Sequence, residues 1–152
     1  MWKELSAMAQ ERTNFSAERR GWLQELKDKK LLDFNEIDNK EIFFMMMALG
    51  CDKTPKELKK AESWIQCNVY SIKEKTLICA VLLGKLCMKH EDINEQANFM
   101  KCNRYAEKCA EAGFDVLDEM VKEANYNNDE LCAAFLNELD RLYNVNVRAA
   151  DL

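Results

Sequence analysis

The chain has 152 residues, of which 48% are hydrophobic and 32% charged, and its formal net charge is −5. Only four glycines and one proline are present, which argues against an all-β fold built on tight turns. The longest uninterrupted apolar stretch, residues 42–49, is far shorter than the roughly 20 residues that cross a bilayer, and residues 1–6 lead into no signal-peptide core. We therefore expect a cytoplasmic protein with one domain and no membrane segment.

Charge is distributed unevenly along the chain. Residues 1–90 contain 16 basic and 13 acidic side chains, whereas residues 91–152 contain 6 basic and 14 acidic ones. Such an asymmetry can orient a protein partner. Because the chain as a whole is acidic, general attraction to nucleic-acid phosphates is weak, and any DNA contact has to be local.

The first third of the chain is predicted to be helical. Apolar residues at helical spacing indicate helix over most of residues 2–32, with a break near residues 14–16 and Ser16 as the cap of the second segment. Asp38 and Glu41 form a capping-box pattern, in which side chains satisfy donors at the helix start. They predict a buried helix over residues 38–49 that ends at Gly50.

The central region begins with the strongest local helix signal in the chain. Thr54 as N-cap, Pro55 at the first helical position and Glu57 in the first turn together predict a short helix. Residues 64–72 are predicted as a loop or a continuation of that helix, because no second strand is evident to pair with them. Ser71 and Glu74 then repeat the capping-box pattern ahead of a strongly apolar helix.

The remaining residues predict three more helices. Asp92 and Glu95 precede a helix that we expect to end at Gly113 in a left-handed stop, and Phe114 begins the next one. Asn128 or Asp129 is predicted to cap the last helix. The sequence thus predicts an all-α single domain over residues 1–144, a compact bundle of six or seven helices, followed by a flexible tail over residues 145–152.

The cysteine and histidine content gives no clear catalytic site. Seven cysteines without a CxxC pattern are expected to be reduced thiols, most of them in the core. The one histidine, His90, lies three residues after Cys87, so a Cys–His dyad, or a zinc site that adds Cys102 or Cys109, is the alternative to a solvated helix end. We prefer the helix end, and the four isolated glycines form no phosphate-binding loop. We therefore expect no enzymatic activity, no cofactor and no metal.

Two groups of charged residues are candidates for partner binding. The basic group has the residue types that contact phosphates, stack on a base or meet an acidic protein, and it comprises Lys53, Lys56, Lys59, Lys60 and Trp64. The acidic group falls along one predicted helix and comprises Asp115, Asp118, Glu119 and Glu123. For both groups the alternative is an ordinary solvated helix face.

Three stretches of the chain carry a resemblance to a known family. They are Lys40–Gly50 (KEIFFMMMALG), Tyr70–Lys85 (YSIKEKTLICAVLLGK) and Arg104–Leu117 (RYAEKCAEAGFDVL). Together they resemble small helical proteins encoded beside bacterial DNA phosphorothioation (DNA sulfur modification) systems, across about residues 36–143, although the Met and Cys richness here departs from that family. The resemblance implies an accessory role in DNA modification or phage defence, with no catalytic residues.

These observations lead to three hypotheses. The first is a non-enzymatic interaction module that docks a larger protein partner. The second is a local nucleic-acid-binding protein that uses the basic group. The third is an acidic phage-encoded inhibitor of a host defence complex, which imitates nucleic acid through the part after residue 91. The sequence leaves the oligomeric state open.

Overall fold

The computed structural model describes residues 11–86 and 96–150 of the chain. Two strands and five helices occupy these ranges: β1 (Arg12–Ser16), α1 (Glu18–Asp28), α2 (Asn39–Gly50), β2 (Ala61–Gln66), α3 (Ile72–Leu86), α4 (Gln96–Glu123) and α5 (Asn128–Ala150). The prediction of an all-α bundle of six or seven helices is therefore wrong. Over the described ranges the chain is mostly helical but includes a two-stranded antiparallel sheet.

The sheet joins a segment that was predicted as helix with a break near residues 14–16 to one that was predicted as the end of the Thr54 helix and a loop or continuation of it. Thr13 pairs with Ile65 and Phe15 with Glu62, so β1 and β2 run antiparallel, with a bulge after Thr13. Ser16 does not cap a helix, because its Oγ accepts the Lys59 backbone N–H at 2.9 Å and so fixes the end of the sheet. The strands lie more than 40 residues apart, and their pairing is therefore invisible to any local pattern.

Two glycines allow α2 and α4 to cross in close contact. A Cβ atom on Gly50 would lie 1.8 Å from the Cys109 carbonyl oxygen, and one on Gly113 would lie 1.9 Å from the Met46 carbonyl oxygen. Gly113 was predicted to stop a helix, but α4 continues through it to Glu123. Glycine is needed at position 113 because a residue without a side chain lets the α2 and α4 backbones approach this closely.

The core forms where α2 and α4 meet the sheet and α3. Buried side chains from all these elements form one cluster, whose largest fully buried members include Phe34, Ile42, Phe43, Met46, Leu49, Ile78, Phe114, Leu117 and Leu131. In the α2 helix, predicted to be buried, Met46 and Met47 lie in this cluster, whereas Met45 is partly buried against it.

The capping box at Ser71 is confirmed in full, and the one at Asp38 is confirmed for its N-cap half. Asp38 accepts the Glu41 backbone N–H at 2.8 Å at the start of α2. At the start of α3, Ser71 Oγ accepts the Glu74 N–H at 3.1 Å, and the Glu74 carboxylate accepts the Ser71 N–H at 2.9 Å. The predicted cap at Asp92 and Glu95 lies outside the described residues.

Other helix ends differ from prediction. Residues 54–58 have no regular structure, since the Lys56 backbone N–H donates to the Lys108 carbonyl of α4 at 3.1 Å instead of entering a helix. The cap of α5 is Asn127, whose Oδ1 accepts the Glu130 N–H at 3.1 Å, one residue before the predicted Asn128. Residues 145–150, predicted as tail, continue the α5 helix, and the flexibility of that end stays a prediction.

In the part of the chain that the structure describes, none of the helices has the combination of length and apolar character that membrane crossing requires.

Candidate functional site

A row of polar side chains on α4 faces the sheet and α1. It comprises Asn103, Glu107, Glu111 and Asp115, which recur every fourth residue and so lie on one helix face. Asn103, Glu107 and Glu111 were missed from the sequence, where the available signal was their regular four-residue spacing beside core alanines and cysteines. We call these four residues the α4 polar row.

The first half of the α4 polar row covers the outer edge of β1. Asn103 Nδ2 donates to the Arg12 carbonyl at 3.2 Å, and Asn103 Oδ1 accepts the Thr13 hydroxyl at 2.9 Å. Glu107 accepts the Asn14 backbone N–H at 2.6 Å and pairs with Arg104. Burial raises the pKa of Glu107, and these two hydrogen bonds oppose the rise. The row thus satisfies strand groups that would otherwise be open to pairing with another chain.

The second half of the row holds a buried ion pair with α1. Arg19 donates to Glu111 through Nε at 3.1 Å and through a terminal nitrogen at 3.0 Å, and to Asp115 at 2.8 Å. The side chains of Arg19 and Glu111 are only 7% and 2% exposed, and the second carboxylate oxygen of Glu111 has no hydrogen-bond partner among residues 11–86 and 96–150. Burial lowers the pKa of Arg19, but the bonds to Asp115 and Glu111 outweigh it and the net shift is upward.

The predicted basic and acidic groups meet at this end of α4. Lys56 pairs with Asp115, so one member of each group neutralises the other. Asp118 accepts the Trp22 indole N–H at 2.9 Å and pairs with Lys122 at 2.8 Å. The structure therefore joins residues that the sequence assigned to two separate partner surfaces.

An open groove of about 680 Å³ lies between the Lys53–Lys56 segment and α4. Its lining includes Lys53, the acidic residues Glu119, Glu123 and Glu138, and apolar residues such as Met120. Mixed charge in the lining makes it neither the uniformly basic face nor the uniformly acidic face that the sequence suggested.

The remaining members of the basic group do not assemble a base-stacking site. Lys59 and Lys60 are exposed before β2, whereas Trp64 is half-buried and packs against Phe15 and Phe114. The Trp64 ring is thus part of the core boundary.

All six cysteines that the structure describes are free thiols. Burial, together with the neighbouring Cys102 thiol, raises the pKa of Cys79 to about 12, which keeps this thiol protonated and weakly nucleophilic. Within the described ranges, no three His, Cys, Asp or Glu side chains are grouped so that they would hold a metal ion. The Cys87–His90 dyad and the zinc alternative involve residues outside those ranges.

Apolar side chains also line the outward face of α5. Leu136, Leu139 and Tyr143 are 64%, 37% and 65% exposed, and the partly exposed Cys132 lies one turn earlier. The spacing of four, three and four residues places them in one line along the helix. We call these four residues the α5 seam.

A different stripe of α5 faces the core. Leu131 and Leu142 are buried and Phe135 is partly buried against the core cluster. Asn128 Oδ1 also accepts the Leu32 backbone N–H at 2.9 Å, which fixes the start of α5. The helix therefore has two apolar stripes, of which one packs within the domain and the other is exposed.

Comparisons with protein families, with curated proteins and with solved structures returned no match for this chain.

The charge state of Asp115 gives a testable pH dependence. Burial raises the pKa of Asp115, but hydrogen bonds from Lys56 and Arg19 outweigh it, so the net shift is below the ordinary 3.8. The ionised Asp115 carboxylate therefore stabilises the folded protein above about pH 4, and this contribution is lost as the pH falls through the lowered pKa of Asp115. We expect Asp115→Asn to reduce stability at neutral pH by less than about 1 kcal/mol, because the carboxylate is half-exposed.

Thermal unfolding at neutral pH and at about pH 3 measures this effect. The difference in Tm between the wild type and Asp115→Asn should shrink on acidification. Glu119→Gln, an exposed carboxylate on the same helix, controls for removal of one negative charge. A Tm difference of equal size at both pH values would contradict the assignment.

Proposed function

We propose that the protein is a non-enzymatic interaction module that docks a larger protein partner through the α5 seam. The exposed line of Leu136, Leu139 and Tyr143 is the observation that carries this proposal. Full burial of one such large apolar side chain is worth about 1.5–3 kcal/mol, so a partner that covers all three gains substantial affinity. Contiguous apolar surface of this kind is typical of protein interaction sites.

The partner is proposed to belong to a bacterial DNA-modification or phage-defence assembly in the cytoplasm. This part of the proposal is supported by the resemblance of the stretches Lys40–Gly50, Tyr70–Lys85 and Arg104–Leu117 to phosphorothioation-associated proteins. In this arrangement DNA is contacted by the partner. Direct DNA binding stays the alternative, but its proposed surface is reduced, because Lys56 pairs with Asp115 and Trp64 packs on the core.

Affinity purification from the native host tests the proposal, with and without nuclease. We expect the tagged wild type to retain a stoichiometric protein partner after nuclease treatment. Leu136→Asp should retain at least about tenfold less of that partner, since a charge buried in an apolar interface is costly. Leu77→Asp is the matched control, because Leu77 is also an exposed leucine, at 56%, but lies on α3 and is not part of the α5 seam. That variant should retain the partner.

Two results would contradict the proposal. Equal retention by Leu136→Asp and the wild type would remove the α5 seam as the docking face. Retention of nucleic acid alone, lost with nuclease or high salt, would favour the basic group instead, and replacing Lys53, Lys59 and Lys60 should then flatten the salt dependence of binding.

A further inference from the structure

The spacing of the α5 seam identifies the shape of its occupant. Its apolar residues follow the four-three-four pattern of a coiled-coil interface, in which a second helix packs at about 20° with its side chains between those of the first. An extended strand repeats every second residue and does not match this line. The seam therefore fits a helix.

The two borders of the α5 seam differ in charge. One border leads to Leu131, Phe135 and Leu142, which pack into the protein's own core. The other border carries the exposed carboxylates of Asp129 and Asp140, eleven residues and about 16 Å apart along the helix. Among the described residues neither of these carboxylates forms an ion pair, and Asp140 has only a long, 3.4 Å contact with Asn144. Both charged side chains described on the open border are therefore acidic.

This acidic border disfavours a second copy of the chain as occupant. In an antiparallel helix pair, like borders of the two helices face each other. Self-association through the α5 seam would thus bring Asp129 and Asp140 of one copy against the same border of the other, and the side chains that the structure describes on this border include no basic one to compensate. Like charges that face each other across an interface oppose association.

We infer that the occupant of the α5 seam is an amphipathic helix of a different protein, with Lys or Arg along the border that meets Asp129 and Asp140. This inference rests on the proposed function and adds the chemical class of the partner element. The apolar line supplies most of the binding free energy, and the charged border selects the partner and the direction in which its helix lies.

Two synthetic helical probes test the inference against the full chain. Both carry Leu at the interface positions of about three heptads; the basic probe has Lys at the flanking positions and the acidic probe has Glu. We expect fluorescence anisotropy to show that the basic probe binds about fivefold more tightly at low salt, since two exposed pairs contribute about 0.5 kcal/mol each. High salt should reduce this preference.

Charge variants of the chain provide the matched comparison. Asp129→Lys/Asp140→Lys should reverse the preference, and the milder Asp129→Asn/Asp140→Asn should abolish it. Glu119→Lys/Glu130→Lys is the control. Like Asp129→Lys/Asp140→Lys, it replaces two acidic residues by lysine, one of them in the first turn of α5, but it leaves Asp129 and Asp140 in place. It should therefore keep the preference for the basic probe.

Three results would overturn the inference. One is equal binding of both probes, and another is binding of neither. The third is a dimer in sedimentation that Leu136→Asp dissociates, which would identify a second copy as the occupant. Equal binding or no binding of the probes leaves the proposed function intact, because that function depends on partner retention by Leu136→Asp in affinity purification. A dimer through the α5 seam would contradict both the inference and the proposed function.

Discussion

Gly113→Ala should destabilise the protein by about 3 kcal/mol. The added methyl group would lie 1.9 Å from the Met46 carbonyl oxygen, and this atom belongs to the α2 backbone, which cannot rotate away as a side chain does. The two helices must therefore separate, and overpacking of a core contact commonly costs about 1–3 kcal/mol or more. Urea denaturation followed by far-UV circular dichroism measures the loss.

The chain contains a matched control for this substitution. Gly21 lies in α1, and a Cβ built there meets nothing within 4 Å. Gly21→Ala should therefore stabilise the protein by about 0.5–1 kcal/mol, because alanine favours helix over glycine. If Gly113→Ala were neutral or stabilising, as is expected for Gly21→Ala, the result would contradict the close backbone contact between α2 and α4 at Gly113.

Arg19→Met is expected to cost about 3–5 kcal/mol, the usual loss when one member of a buried ion pair is removed. Glu111 would remain buried without its cation, and one of its oxygens already lacks a hydrogen-bond partner in the described part of the chain. Arg20→Met, at the next position in the chain, is the control. The Arg20 side chain is 69% exposed and its terminal nitrogen lies 3.6 Å from a Glu62 carboxylate oxygen. Its removal should therefore change the free energy of unfolding by less than about 0.5 kcal/mol.

A double variant separates the ion pair from simple packing. Arg19→Met/Glu111→Leu removes both charges and should recover most of the stability lost in Arg19→Met, because no isolated buried charge remains. Urea denaturation of the single and double variants gives the coupling free energy. An additive result, with no recovery, would show that Arg19 stabilises the fold through its aliphatic stem and not through Glu111.

The sequence by itself predicted the features that depend on residues close together in the chain. The N-cap at Asp38 and the capping box at Ser71 were predicted correctly, because their partners lie three residues away and one helical turn brings them together. The stop at Gly113 was wrong because glycine also serves close helix crossings, which need a second helix to be recognised.

Only the tertiary structure decided which distant groups meet. The pairing of β1 with β2 overrode the helical periodicity near Phe15, and the α4 contact of Lys56 overrode the local helix signal at Thr54. The candidate sites changed for the same reason: Lys56 and Asp115 are 59 residues apart in sequence yet form an ion pair, and the exposure of Leu136 depends on which stripe of α5 packs on the core. Periodicity shows that a helix face is apolar, but burial of that face depends on the position of every neighbouring element.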